Sequence, residues 1–391
     1  MKSTSHKVTF FGQSKQSLTE TCSSQWNMPG YIADQLQDWV FRKNTTDVAL
    51  MTNLSKLNRA RLLAELVVCE SELHSHQIAS DGTQKLLLQW PEVGADEEQR
   101  PLLEQVHPNR RGDSSRQTEC VMIPTPDRKT ACISSQVGCP VGCAFCASGI
   151  GGLDGNLTTA RIVEQVWQLA QLENVGRISN VVFMGMGEPL ANYAAVTDAI
   201  RILNAPWGMG ISARKITVST VGLPAAIRKL VHFELPITLA LSLHAPDDDL
   251  RRELIPWAAY TSIAELLDAC SEYFRTTGRE VTLEYILLGS VNDQLTHARE
   301  LAVIAKQLRA NVNLIRYNEV AGLPFKRPAD TDVLAFQRTL RTAGINAHIR
   351  ASRGRDIAAA CGQLRHEKQD SPSRRGGRTE GRRDLRVDEA K

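Results

Sequence analysis

The sequence predicts an α/β fold: a partial, TIM-like (βα)6 barrel, preceded by a small helical N-terminal domain and followed by a disordered basic tail. Three observations predict it. From Cys120 onward, short apolar runs alternate with helical stretches, the pattern of repeated βα units around a parallel sheet. From Tyr31 to about Leu73 the apolar spacing is helical alone. Beyond residue 364 apolar residues almost disappear, and residues 365–391 hold nine Lys/Arg and six Asp/Glu, the composition of a solvated tail.

The elements follow in order. Residues 1–25 are polar and are expected to fray. Residues 26–75 form the helical domain, with apolar positions at Ile32, Leu36, Trp39 and Val40 and again at Leu54, Leu57, Leu62, Leu63 and Leu66. Residues 76–118 hold a hairpin and a charged insertion. Asp81-Gly82 followed by TQKLLLQW is a turn feeding a strand, which places the hairpin near 78–90. Residues 91–117 are charged and contain Pro and Gly, so they read as a long loop. Residues 119–364 form the barrel. Its strands are expected at 119–123, 131–135, 179–185, 215–220, 236–243, 281–288, 311–317 and 346–351. Its helices are expected at 158–173, 192–204, 223–231, 262–275, 293–309 and 331–343.

Bulk properties narrow the function. A chain of 391 residues with 42% hydrophobic content can bury a substantial core. No run of about 18 apolar residues occurs, so no membrane span is expected. The N-terminus lacks the continuous apolar core of a secretory signal. Nine cysteines, an odd number, fit metal and catalytic use in a reducing compartment better than a disulfide framework, and the cytoplasm is the expected location. A net charge of +3 neither demands nor excludes nucleic acid.

The most specific motif is Cys139-PVG-Cys143-AF-Cys146. Three thiolates on one short loop can hold three irons of a 4Fe–4S cluster and leave the fourth open. Structural zinc prefers four closed ligands, and no fourth lies nearby in sequence, though zinc or unligated thiols stay open at this point. Further on, Met184-Gly-Met-Gly-Glu188-Pro189 ends an apolar strand, where glycines let the backbone approach a ligand and Glu188 can hold an ammonium group. Polar residues recur at later strand ends, Ser219-Thr220 and Ser242-Leu243-His244, where parallel βα barrels bind ligands.

Together these segments carry a resemblance. Cys132-ISSQVG-Cys139-PVG-Cys143-AF-Cys146, NLTTARIVEQV at 156–166, NVVFMGMGEPLANY at 180–193, ITVSTVGLP at 216–224, LALSLHAPDDDLR at 239–251, EYILLGSVND at 284–293, NLIRYN at 313–318 and RGRDIAAACGQL at 353–364 resemble the RlmN/Cfr family of radical S-adenosylmethionine (SAM) RNA adenine methyltransferases. The RlmN branch is the nearer, and the match runs over roughly residues 28–364. The resemblance implies a barrel of the radical SAM type and two cofactors, one 4Fe–4S cluster on Cys139, Cys143 and Cys146, and SAM. It matches Gly187, Glu188, Ser219, Ser242, Leu243, His244 and Asn318 to the family's SAM-binding positions.

It also assigns the chemistry. Cys361 matches the cysteine that becomes methylated, Cys132 the one that later releases the product, and Glu119 the general base. Two SAM molecules are implied per turnover, with a transient Cys132–Cys361 disulfide that a reductant resets. The expected reaction is methylation of adenosine carbon 2 in 23S ribosomal RNA, and in tRNA next to the anticodon. An electron donor such as flavodoxin is the expected protein partner of a monomeric enzyme. Three alternatives stay open: methylation at carbon 8 of the Cfr type, a paralogue acting on another RNA or on protein, and a non-catalytic metal-containing RNA-binding protein. Arg214, Lys215, Arg251, Arg252, Arg316, Lys326, Arg327, Arg350 and Arg353 are candidates to line an RNA path, and a charged solvated face explains most of them equally well. The chain departs from the family in its long 91–117 segment, in Arg316-Tyr317 where Pro-Trp is customary, and in Ala351 where Lys is familiar. Cys22, Cys69, Cys120 and Cys270 have no assigned role.

Overall fold

The computed structural model describes residues 7–91 and 116–364. The expected tail at 365–391 and most of the charged insertion lie outside the described residues.

The N-terminal region starts with strand β1 (Val8–Thr9), helix α1 (Lys15–Glu20), helix α2 (Tyr31–Gln37), helix α3 (Lys56–Glu65) and strand β2 (Leu66–Val67), which pairs in parallel with β1. Ser14 and Ser55 cap α1 and α3 by accepting the backbone N–H three residues on. The expectation that residues up to 25 fray does not hold from residue 8. Phe10, Phe11, Leu18 and Cys22 are buried, and the Phe11 ring lies 5.7 Å from that of Trp167. Four apolar side chains scattered through a polar stretch suffice to dock it, because a ready apolar wall stands opposite.

A hairpin of β3 (Glu72–Ile78) and β4 (Gln84–Gln89) follows, turning at Asp81-Gly82. It begins earlier than expected because β3 is mostly solvent-facing and lacks apolar alternation. Strand β4 pairs with β5 (Gln117–Thr125), and β5 with β6 (Arg128–Cys132), all antiparallel.

From β6 the sheet becomes parallel. The short pair β7 (Gln136–Gly138) and β8 (Leu153–Asn156) brackets the cysteine loop. Then follow α4 (Thr159–Ala170), β9 (Asn180–Phe183), α5 (Tyr193–Asn204), β10 (Ile216–Thr220), α6 (Pro224–Leu230), β11 (Thr238–Ser242), α7 (Asp248–Leu254), α8 (Ile263–Thr277), β12 (Val281–Leu287), α9 (Leu295–Leu308), β13 (Asn311–Arg316), α10 (Asp330–Thr342) and β14 (Ala347–Arg350). The sheet order β14-β13-β12-β11-β10-β9-β6-β5-β4-β3 makes β6 and β9 to β14 a parallel wall of six βα units plus a last strand. This is the partial (βα)6 barrel. The pairs β7–β8 and helix α7 were not expected.

Helix α4 joins the two regions. It buries Arg161 and Glu164 toward the N-terminal segment and Gln165 toward the barrel, where Gln165 exchanges hydrogen bonds with the Ser134 backbone. Glu164 accepts the N–H groups of Glu70 and Ser71 at 2.9 and 2.8 Å, and Arg161 pairs with Glu70 at 2.9 Å. Buried charges are tolerated only when partnered in this way, so the interface has a fixed geometry.

Candidate active site

The C-terminal ends of the parallel strands surround an open cavity, with about 840 Å³ of atom-free space when the solvent at its mouth is included. Cys139, Cys143 and Cys146 line one wall, and Gly187, Glu188, Ser219, Ser242 and His244 line the strand-end side. Cys361 also lines it, together with Met184, Glu284 and Arg350.

The cysteine loop is shaped by backbone constraints. Gly138 sits at φ +74°, and a Cβ there would meet the Gly152 carbonyl oxygen at 1.9 Å, so only glycine fits. The Cys139 N–H donates to that same carbonyl at 2.9 Å, which starts the loop, and Cys146 N–H donates to Cys143 O at 3.1 Å, which closes it. Burial pushes the Cys139 thiol up to about 12, with the nearby Cys146 adding to the effect, and raises Cys143 and Cys146 as well. Three half-buried thiols of this kind ionise when a cationic centre binds them. Among the described residues no three Cys, His, Asp or Glu side chains converge closely enough to hold a single metal ion. All three thiols line the same cavity, an arrangement that suits one thiolate per iron of a cluster.

Opposite the loop, Gly187 adopts φ +100°, and a Cβ would collide with Gln136 at 2.6 Å. The turn presents Glu188, whose carboxylate accepts the Leu190 N–H at 2.9 Å and the Val221 N–H at 2.8 Å. Burial lifts Glu188 to about 7 although these N–H groups and the Thr220 hydroxyl pull it back. A carboxyl raised from 4.5 to about 7 holds its proton more tightly folded than unfolded. Its contribution is fully present below about pH 4.5 and is lost as pH rises through 7, an effect of about 3 kcal/mol. The urea midpoint of cofactor-free protein is therefore expected to fall between roughly pH 5 and 8, and Glu188→Gln to flatten that fall. Parallel curves for the two proteins would contradict this.

His244 takes φ +61°, and its Nδ1 accepts the Ile286 N–H at 3.1 Å. Burial, and secondarily the charge of Arg251, lower it to about 3, so it stands neutral with the proton on Nε2. The Phe145 ring meets it edge-on at 5.1 Å. Ser219 and Ser242 share a hydroxyl contact at 3.2 Å. Leu243 is fully buried behind the wall, where its carbonyl accepts from Arg251 at 3.2 Å. Asn318 also lies off the cavity wall, with its amide 3.5 Å from the Cys361 carbonyl.

The segment after β14 folds back over the cysteine loop. Ala147 N–H donates to Gly362 O at 2.8 Å and Ser148 Oγ to Leu364 O at 2.7 Å, which sets Cys361 at the cavity edge. Cys132, at the end of β6, packs with Val121, Met186 and Ala359 just behind. Burial pushes Cys132 up to about 12, Cys361 adds to this, and Arg350 opposes it. Arg350 contacts Met184 Sδ at 3.2 Å and Glu284 at 3.4 Å. All nine cysteines are free thiols, so the disulfide expected during turnover is absent here. Glu119, on β5, is buried and pairs with Lys85 at 2.7 Å.

The basic residues divide. Arg251 is buried and donates to the Val221 and Leu243 carbonyls, so it supports the site from within and cannot line an RNA path. Arg214 and Lys215 immediately precede β10, at the barrel end opposite the cavity. Arg316 and Arg350 end β13 and β14, Lys326, Arg327 and Arg353 come after those strands, and Arg252 is exposed on α7 and pairs with Asp249. Glu284 and Lys85 are parts of the site that sequence reasoning did not single out, and Arg251 was expected on an RNA path rather than in this supporting place. The signal for Lys85 was a charge inside the otherwise apolar strand KLLL.

A parallel partial barrel whose strand ends face a three-thiol loop defines a radical SAM enzyme. Residues 133–302 match the family model of the radical SAM superfamily, and residues 8–68 that of the ribosomal RNA large subunit methyltransferase N-terminal domain. The chain is 44% identical over 355 residues to a probable dual-specificity RNA methyltransferase RlmN of Gloeobacter violaceus, covering 90% of this chain and 94% of that one. It is 42% identical over 358 residues to the protein of the same description from Thermosynechococcus vestitus, covering 92% and 98%. A crystal structure of a radical SAM methyltransferase from Sphaerobacter thermophilus matches with a TM-score of 0.83 at 39% identity, covering 93% of this chain and all of that one. The chain belongs to the RlmN family of radical SAM RNA methyltransferases. Its cofactors are a 4Fe–4S cluster and SAM. No helix among the described residues is long and apolar enough to cross a membrane.

Proposed function

We propose that the protein methylates carbon 2 of an adenosine in 23S ribosomal RNA, and of the adenosine next to the tRNA anticodon, through a methylated Cys361. The observation that carries this reading is the placement of Cys361 on the same cavity as the three loop cysteines, with Cys132 close behind it. The dual specificity in the relatives' descriptions supports two RNA substrates.

Cys139, Cys143 and Cys146 would hold the cluster. Gly187, Glu188, Ser219, Ser242 and His244 would hold SAM, with Glu188 facing its ammonium, while Leu243 and Asn318 support that wall and the Cys361 loop. When bound, the cofactors supply methyl groups, a reducing electron from a donor such as flavodoxin, and a carbon-centred radical. The chain's residues do the rest. The Cys361 sulfur accepts a methyl group, and that carbon, after losing a hydrogen atom, bonds to carbon 2 of the base. The base must leave its stack to reach the cavity. Glu119 takes the ring proton, and the adduct's unpaired electron would leave to the bound cluster, so that the adduct becomes a closed-shell thioether. The Cys132 sulfur, having lost its proton, then attacks the Cys361 sulfur, forming an S–S bond and breaking the Cys361 S–C bond; the leaving carbon keeps the electron pair and takes up a proton, which completes the methyl group and frees the base. An external reductant restores both thiols. The test is adduct trapping: a covalent RNA–protein band with Cys132→Ala and none with Cys361→Ala.

A further inference from the structure

We propose that Lys85 is a positioning residue that seats the Glu119 carboxylate against the backbone of the Cys361 loop, which other contacts hold in place. The inference rests on the reading of Glu119 as the base.

Lys85 lies on β4 and Glu119 on the neighbouring strand β5, with Lys85 opposite Val121 in the register. They are 8% and 7% exposed, and Lys85 Nζ is 2.7 Å from Glu119 Oε1. A lysine is almost never this buried unless it is paired. The same ammonium donates to the Ala358 carbonyl at 3.4 Å, three residues before Cys361. The ammonium therefore links the base to the backbone that carries the methyl acceptor. Two further contacts tie the hairpin to that loop: Ser80 N–H donates to Asp356 Oδ2 at 2.8 Å, and Gly354 N–H to Asp81 Oδ2 at 3.1 Å. On the loop's other side Val121 and Cys132 pack against Ala359. Base and releasing thiol thus both reach the segment that bears Cys361, Glu119 through the Lys85 ammonium and Cys132 through Ala359.

A positioning role affects one step and a general structural role affects all of them. In Lys85→Met, Cys361 methylation by SAM, read by peptide mass spectrometry, is expected to match the wild type. The RNA adduct is expected to form and then persist, with release slowed by about 100-fold, the loss expected when a catalytic group is misplaced by about an ångström. Lys85→Gln keeps a donor in the same space and is expected to fall between the two; it also serves if the Met variant does not accumulate as folded protein. Adding Lys85→Met to Glu119→Gln is expected to slow release no further, because the two residues act as a unit. Wild-type release in both Lys85 variants, or an equal loss of Cys361 methylation and release, would overturn the inference. Wild-type release in Glu119→Gln would instead overturn the assignment of the base, and this inference with it.

Discussion

Cys132→Ala is expected to accumulate RNA covalently bound through Cys361, and Cys361→Ala to form no such species. The reason is the bond that must break. Once the Cys361 methyl carbon has joined the base, the RNA is held by a carbon–sulfur bond that water does not cleave. Only a second sulfur attacking Cys361 offers a route out. In the proposed function Cys132 is that sulfur; it is 6% exposed at the end of β6, and Cys361 and Arg350 both act on it. Its thiol is pushed up to about 12 by burial, while Arg350 and the Met184 N–H favour the thiolate that must form. Cys120 is a useful control. It is fully buried one strand away and close enough to interact with Cys132, but Cys361, which acts on Cys132, is not among the groups that act on it. Cys120→Ala is expected to release product normally. The measurement is a denaturing gel with labelled RNA after anaerobic incubation, and normal turnover by Cys132→Ala would remove the releasing thiol from the account.

The second large effect is expected at Arg251, as lost stability rather than lost RNA contact. The guanidinium donates to Val221 O at 2.6 Å and Leu243 O at 3.2 Å, holding the ends of β10 and β11 together under α7. Burial lowers Arg251 to about 10, partly offset by Cys143, so the charge is kept at a cost in the interior. Arg251→Met leaves two buried carbonyls unsatisfied, at about 1–3 kcal/mol each. It also loosens the turn whose Val221 N–H binds Glu188. The variant is expected to melt several degrees lower and to bind SAM more weakly. The exposed neighbour Arg252 is expected to tolerate alanine within about 0.5 kcal/mol. Equal melting temperatures for the two variants would contradict the support role.

The sequence made the barrel legible because each parallel strand is a short apolar run between amphipathic helices, and every expected strand and helix from 119 to 351 has its counterpart. The cysteine loop, the Gly187-Glu188 turn and the strand-end residues were equally legible, since local chemistry marks them. What escaped was long-range. The four apolar residues between Phe10 and Cys22 gain meaning only against Trp167 and its surroundings. Strand β3 carries no alternation because its partner β4 faces the core alone. Arg251, in DDDLRREL, looks like any surface arginine until β10 and β11 bring two carbonyls to it. Lys85 and Glu119 are 34 positions apart and meet only through the antiparallel register of β4 and β5.

The most direct test of the central claim is the fate of a labelled methyl group. Protein purified anaerobically would be assayed for iron, sulfide and zinc, then incubated with reductant, methyl-labelled SAM and unmodified 23S ribosomal RNA and tRNA, and the nucleosides mapped by mass spectrometry. The account predicts about four irons per chain, label on Cys361 before RNA is added, and label on carbon 2 of adenosine afterwards. Label on carbon 8, labelled RNA without labelled Cys361, or zinc in place of iron would contradict it.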